Sequence, residues 1–515
     1  MTRGIPNSPE SLTCLLVLCA WQCTVWFQHP YSAQGAIHVY DLLAVLAALG
    51  LLMYLAYRGI SLLILAPAMA LLAAVLTGDL PVLAAYTKIF MTNVGDFIIA
   101  FFPLFMLGAI FGKLMDDSGC AKSIAQSVSA RLGPERAILS VVLCCAVLTY
   151  GGVSAFVVAF AVFTIAAALF RGIDIPKRLI PATIALGAFT FTMSALPGTP
   201  AIQNAIPMPF FGTTAFAAPG LGIIAAILMF LLGAAQARAG GECYGQHDDS
   251  LPERDVVMRE HAQSGGFDIS ELAENPPTEE HLPPFALALL PILAVIVLNF
   301  IFIELVVPSM NTSYVAEARF GETSIESVRG LWAIIFSLFF AILLLIASNW
   351  RRLTDLRASL DKGADASVLP IFNTASLVGF GAVIAALPVF GMVSEAVLAI
   401  GGGNPLVSVA ASVATLSAMT GSASGGMSIA LEALGSTFVE MAHASGVSLE
   451  AMHRVTAIAS GVLDTLPHSG AIITLLAVCK LSHRESYIDI LVVGIGAPMI
   501  SLIVVIVLAS VFGAF

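Results

Sequence analysis

Charge is scarce in this chain. Only 11% of its 515 residues are Asp, Glu, Lys or Arg, against 58% hydrophobic, and mean hydropathy is +0.95. A soluble domain of this size needs far more charge to cover its surface. A soluble fold is excluded, and a polytopic all-α membrane protein is expected. Metal and redox spacing is missing as well. The eight cysteines form no C-x-x-C pair. Cys14, Cys19, Cys23, Cys144, Cys145 and Cys479 lie in apolar runs, where a free thiol serves as a small hydrophobe. No H-E-x-x-H motif occurs. Gly421-Ser-Ala-Ser-Gly425 departs from the G-x-S-x-G nucleophile elbow, because Ala423 stands at its centre. No enzymatic activity, metal or cofactor is expected, and nucleic acid is not an expected partner. A Ser424–His468 dyad of an intramembrane hydrolase is only a remote alternative. A passive channel is another alternative, whose signature would be a ring of like side chains or a pore-lining carbonyl loop; the paired hairpins on opposite sides described below argue for alternating access instead.

What is present is a series of apolar runs of roughly 17–25 residues, the length that crosses a hydrocarbon core. Four parts follow along the chain. Residues 1–40 hold an ambiguous apolar segment, Ser11–Phe27, with one preceding Arg3 and no convincing signal-peptide cleavage site. Residues 41–237 and 284–515 form two halves. Between them, residues 238–283 carry 11 acidic residues against three arginines and the pairs Gly240-Gly241, Gly265-Gly266 and Pro276-Pro277. That composition reads as a solvated linker. It absorbs much of the formal charge of −11.

The two halves repeat each other. Ser194-Ala-Leu-Pro-Gly-Thr199-Pro-Ala-Ile202 lines up with Asp464-Thr-Leu-Pro-His-Ser469-Gly-Ala-Ile472, and Tyr150-Gly-Gly-Val-Ser154 with Thr420-Gly-Ser-Ala-Ser424, at a constant offset. Broken apolar segments at matching places of two halves are the best sequence pointer to a transporter's binding site.

Basic residues mark cytoplasmic loops. They cluster at Arg58, Lys113–Arg136, Arg171–Arg178, Arg351–Lys362 and Lys480–Arg484. Between two such clusters, residues 137–170 would make one helix of roughly 51 Å, too long for a core of roughly 30 Å, and are too short for two crossings. A re-entrant helical hairpin turning at Gly151-Gly152 fits, since broken backbone at that depth is tolerated only beside protein or a water-filled cavity. Residues 404–440 are its counterpart, turning near Gly421–Gly426. Their ends carry no Lys or Arg, which places them on the opposite face and makes the halves an inverted repeat. Segments 177–217 and 452–479 cross with breaks at Pro197–Pro200 and Pro467–Gly470. One residue is discordant: Arg454 falls at an outer end of this threading.

A break frees backbone groups and exposes helix ends, which suit an anion at the N-terminal side and a cation or proton carrier at the carbonyl side. The expected substrate-binding residues are Tyr150, Gly151, Gly152, Ser154, Thr199, Gln203, Asn204, Thr420, Ser422, Ser424, Thr465 and Ser469. Their hydroxyl and amide groups match a hydroxy acid. Any one of the hydroxyls can instead bond back to its own helix, and the glycines can serve only as tip-formers. Ionisable groups at membrane depth are functional candidates by default. Asp464, His468 and Glu432 are the candidates for proton coupling; a structural hydrogen bond is the alternative for each. Hydroxyls and free carbonyls can also hold Na⁺, so a sodium-coupled carboxylate symporter is the open alternative.

The runs Leu148-Thr-Tyr-Gly-Gly-Val-Ser-Ala-Phe-Val-Val158, Ile175-Pro-Lys-Arg-Leu-Ile-Pro-Ala-Thr183, Leu196-Pro-Gly-Thr-Pro200 and Leu466-Pro-His-Ser-Gly470 resemble the gluconate permease family of proton symporters, within the ion-transporter superfamily. The likeness runs from about residue 41 to the C-terminus, outside the acidic linker. It implies proton-coupled uptake of a small hydroxy- or sugar-acid monocarboxylate across a bacterial inner membrane. It also implies a homodimer built on a scaffold domain, with an elevator-like mobile domain. The family includes carriers for gluconate, D-serine and 3-hydroxybutyrate. The Leu-Pro-Gly-Thr-Pro form departs from its gluconate carriers and is nearer the 3-hydroxybutyrate type.

Overall fold

The computed structural model describes residues 39–58, 60–153, 155–243, 282–320, 322–391, 400–467 and 469–515, and every regular element among them is helical. The described residues from Tyr40 onward form one unit. The apolar segment at 11–27 lies outside the described residues, as does most of the acidic linker.

In the first half, α1 (Val39–Tyr57) and α2 (Leu62–Thr77) precede α3 (Met91–Asp117), which continues an apolar helical span from Val82. α4 (Cys120–Leu132) is followed by a pair of helices, α5 (Ala137–Tyr150) and α6 (Ala155–Gly172), that pack on each other. The next stretch is fragmented into α7 (Leu179–Ala188), α8 (Phe191–Ser194), α9 (Ile202–Ala205) and α10 (Pro207–Phe211). α11 (Pro219–Cys243) closes the half.

The second half opens with α12 (Phe285–Ile301), α13 (Ile325–Asn349) and α14 (Leu356–Ala385). A second packed pair follows, α15 (Pro405–Thr420) and α16 (Ala423–Ser445). Then come α17 (Leu449–Val462), α18 (Gly470–Cys479), α19 (His483–Leu491) and α20 (Ala497–Phe512). Among the described residues, six helical spans are long and apolar enough to cross a membrane: Val82–Asp117, Pro219–Ala239, Phe285–Ser309, Ile325–Asn349, Leu356–Ala385 and His483–Phe512. This is an all-α, multi-pass membrane protein.

Local chemistry explains the boundaries. Asn404 accepts from the Leu406 N–H at 3.0 Å with Pro405 in the first turn, so α15 starts there. Gly421, at φ 62°, ends it in the left-handed conformation that glycine adopts without strain. Ser422 then caps α16 through the Gly425 N–H at 3.2 Å. The two arms meet so tightly that a Cβ on Gly426 would strike the Ser417 backbone. Small residues also bring α3 and α14 together: a Cβ at Gly363 would lie 2.8 Å from the Ile110 Cα.

Two expectations change. The basic stretch Lys113–Arg136, read as a loop, contains α4, whose Cys120, Ala121 and Ile124 are buried and which packs on α5. Its 13 residues mix apolar and polar side chains, so a search for long apolar runs passes over it. The basic cluster Arg351–Lys362, read as a loop, is half helical, because α14 already begins at Leu356. Asp355 caps it by accepting from the Ala358 N–H at 3.0 Å, and the basic Arg357 and Lys362 are good helix formers inside its first turns.

Candidate functional site

Beside the packed pairs themselves, two contact patterns recur in the two halves. α5 packs on α7 as α15 packs on α17, and α6 on α7 as α16 on α17. The pieces after each break then cross over: α9 and α10 lie against α16 and α17, while α18 lies against α6 and α7. Each helix pair therefore meets the broken segment of the other half.

At the first break, Leu196–Ala201 leaves the helical path. The Tyr150 hydroxyl, at the end of α5, donates to the Pro197 carbonyl at 2.7 Å. Gly152, at φ 93°, tucks under Pro200, whose Cγ would lie 2.9 Å from an added Cβ; only glycine fits. Gly198 N–H donates to Ala215 O at 2.8 Å. Thr199 is buried and its hydroxyl accepts from the Ala201 N–H at 3.3 Å. Gln203 is half-buried. The hydroxyls of Thr190, Thr192 and Ser194 bond back to carbonyls four or five residues earlier, the bland outcome for hydroxyls on a helix.

At the second break, Leu463–Ser469, the Asp464 carboxylate accepts from the Ala423 N–H at 2.8 Å. Ala423 opens α16, so a buried acid of one broken segment caps the tip of the helix pair beside it. His483 Nε2 lies 2.8 Å from the Pro467 carbonyl, which only accepts, so the ring donates. Tyr487 donates to Thr465 O at 3.2 Å. The equivalent prolines thus have their freed carbonyls satisfied by different donors, Tyr150 in one half and His483 in the other. The Thr465 and Ser469 hydroxyls are fully buried and have no hydrogen-bond partner among the described residues. A buried orphan hydroxyl is destabilising, and functional sites are where such groups are tolerated.

The other expected residues divide. Thr420 bonds to Leu416 O at 2.9 Å, and Ser422 is occupied as a cap, with its hydroxyl 3.4 Å from that of half-buried Ser424. Gly151 is buried against Ile292. Asn204 donates to Thr199 O and Ala215 O, each at 3.0 Å, so its amide is spent on holding the break. Glu432 is exposed on α16, nine residues beyond Ala423 and roughly 13 Å along the helix from it, within electrostatic range of Asp96 on α3. Ser154 and His468 lie outside the described residues.

Sequence reasoning missed His453 and Arg454. Both are completely buried in α17. His453 bridges the Thr213 hydroxyl and Asn204 Oδ1, the latter at 3.2 Å. Arg454 spends all five N–H groups across the halves, on Ala195 O, Ala215 O, Ala217 O (twice) and Asn204 Oδ1, at 2.7–3.3 Å. The available signal was the misfit of Arg454 in the charge-based threading. The repeat gave no hint, because the equivalent positions are Thr183 and Ile184.

No protein-family model matches the chain. A bacterial relative does: the uncharacterized transporter YxjC of Bacillus subtilis (strain 168) is 42% identical over 463 residues, covering 87% of this chain and 95% of the relative. The chain belongs to that transporter family. It is a multi-pass protein of the bacterial inner membrane, and a transporter rather than an enzyme. Among solved structures, the Alcanivorax borkumensis YdaH transporter aligns over 84% of this chain and 89% of its own at 16% identity and a TM-score of 0.41. That likeness is too low to bear on fold or mechanism.

Proposed function

We propose that this transporter is a secondary active carrier that takes up a small organic monocarboxylate, of the hydroxy- or sugar-acid class, together with a proton. The observation that carries the reading is the pair of tip-to-break hydrogen bonds, Tyr150 to Pro197 O and Ala423 N–H to Asp464. Each half ties the tip of its helix pair to its own break, though through non-equivalent residues, an arrangement that suits an inverted repeat with re-entrant hairpins α5–α6 and α15–α16.

Asp464 is buried and bonded to the α16 tip, so changing its charge changes the hold on that tip. That suits a proton carrier. Thr465, Ser469 and the N-terminus of α18 offer hydroxyls and a positive helix end to a carboxylate. Tyr150, Thr199, Gln203 and Ser424 line the facing segments in this reading. The gluconate permease resemblance, with its 3-hydroxybutyrate-type branch, supplies the substrate class, the elevator-like movement and the homodimer.

The test is counterflow and uptake in proteoliposomes, with labelled 3-hydroxybutyrate and gluconate under imposed pH or Na⁺ gradients. Accumulation driven by an inward proton gradient supports the proposal. Accumulation that follows Na⁺ and ignores pH assigns sodium coupling instead. Absence of exchange of either acid refutes the substrate class.

A further inference from the structure

The guanidinium of Arg454 is the one fully buried cationic side chain among the described residues, and no carboxylate among them pairs with it. Its five donors are all met by neutral oxygens, three backbone carbonyls and the Asn204 amide. Carbonyl dipoles can solvate such a charge but cannot cancel it. A buried charge without a counter-ion is expensive, and persists where something else uses its field.

The location indicates what that is. Ala195 and Asn204 flank the non-helical stretch of the first break on either side, and Asn204 itself reaches Thr199 O. Tyr150, bonded to Pro197 O, lies within electrostatic range of the guanidinium. Space for the side chain is reserved from the neighbouring helix: a Cβ on Gly222 of α11 would come 3.2 Å from Arg454 Nε and strike Ala195 O. Since every N–H is already spent, the guanidinium does not grip a ligand directly.

We propose that Arg454 is a positioning and specificity residue. Its fork shapes the first break, and its uncompensated charge makes the site at that break select an anion over a neutral molecule of the same shape. The inference rests on the organic-acid reading above and deepens it. In low-dielectric surroundings a charge acts over several ångströms, so contact is unnecessary.

The two roles separate experimentally. In proteoliposomes, counterflow kinetics are compared for 3-hydroxybutyrate and its uncharged amide, 3-hydroxybutyramide, with gluconate and gluconamide as a second pair. Wild type should prefer the acid over its amide by about tenfold or more in kcat/KM. Arg454→Lys keeps the charge and loses the planar fork, so it should keep the preference while kcat falls. Arg454→Gln should reduce the preference about tenfold, mainly through KM for the acid.

Asn204→Asp supplies a second route where Arg454→Gln does not fold. It sets a carboxylate beside the guanidinium, where Asn204 Oδ1 already lies 3.2 Å away, and should likewise erase the preference. A merely structural arginine predicts that acid and amide suffer equally in every variant, and that result overturns the proposal. Equal wild-type transport of acid and amide overturns it too, while leaving the carrier reading intact. Transport of neither pair refutes the substrate class itself.

Discussion

Replacing Asp464 by Asn tests the link between the second break and the driving force. Asn keeps the size of the side chain and an oxygen that can accept from the Ala423 N–H, now 2.8 Å away, but it cannot carry a proton. The hydrogen bond changes from charge-assisted to neutral, a loss of about 1 kcal/mol, and the favourable charge at the N-terminus of α16 goes with it, about 0.3–2 kcal/mol. The Asp464→Asn variant should therefore fold with its stability lowered by about 1–3 kcal/mol, read as a modest fall in melting temperature in detergent. Transport is where the large effect lies. A monocarboxylate entering with one proton moves no net charge, so only the pH gradient drives it. One pH unit is worth about 1.4 kcal/mol, or a tenfold concentration ratio. Wild-type proteoliposomes with an inward gradient of about one unit should hold 3-hydroxybutyrate at about tenfold. The Asp464→Asn carrier should show no accumulation while retaining counterflow exchange, which needs no net proton movement. A variant that still accumulates about tenfold would show that Asp464 does not carry the proton, and Glu432 and His468 would be the next to examine. Loss of exchange together with accumulation would assign Asp464 to binding rather than coupling.

Three further outcomes are expected. Thr465→Val removes a buried hydroxyl that has no partner among the described residues, so the melting temperature should hold or rise by the equivalent of about 1 kcal/mol while exchange falls about tenfold; unchanged exchange would mean the hydroxyl faces no substrate. Gly426→Ala should destabilise by about 1–3 kcal/mol, because the added methyl meets the Ser417 backbone; chemical denaturation in mild detergent should show it, and a neutral result would refute the close packing of α15 on α16. Single cysteines placed at Glu135 and Gly172, at the outer ends of α5 and α6, should react with an impermeant maleimide from the same side of the membrane; labelling from opposite sides would refute the re-entrant hairpin.

Much of the helical layout was legible because membrane burial writes itself into composition. Long apolar runs with little charge led directly to spans such as Phe285–Ser309 and Ile325–Asn349. Turn chemistry marked the tips, since Gly421 needs a left-handed backbone and Ser422 needs helical N–H groups to cap. α4 was illegible for the opposite reason: a short, half-polar helix buries one face against α5, and that burial is a property of the neighbour. Among the polar candidates, residue type could not separate a hydroxyl bonded to its own helix, such as Thr420, from one without a partner among the described residues, such as Thr465. The distinction depends on which atoms lie within about 3 Å.

The sequence by itself determined that the chain crosses a membrane many times, that its apolar runs break at two matched places, and that Asp464 stands at one of them. Those follow from local rules: apolar length, proline and glycine, and the rarity of acids at depth. Only the tertiary structure decided what each polar group at the breaks does. It set Asp464 on the tip of α16, spent Asn204 on carbonyls, exposed Glu432, and buried Arg454 far along the chain from the carbonyls it holds. A guanidinium needs acceptors for five donors in a fixed fork. No local pattern records where the chain will bring them together.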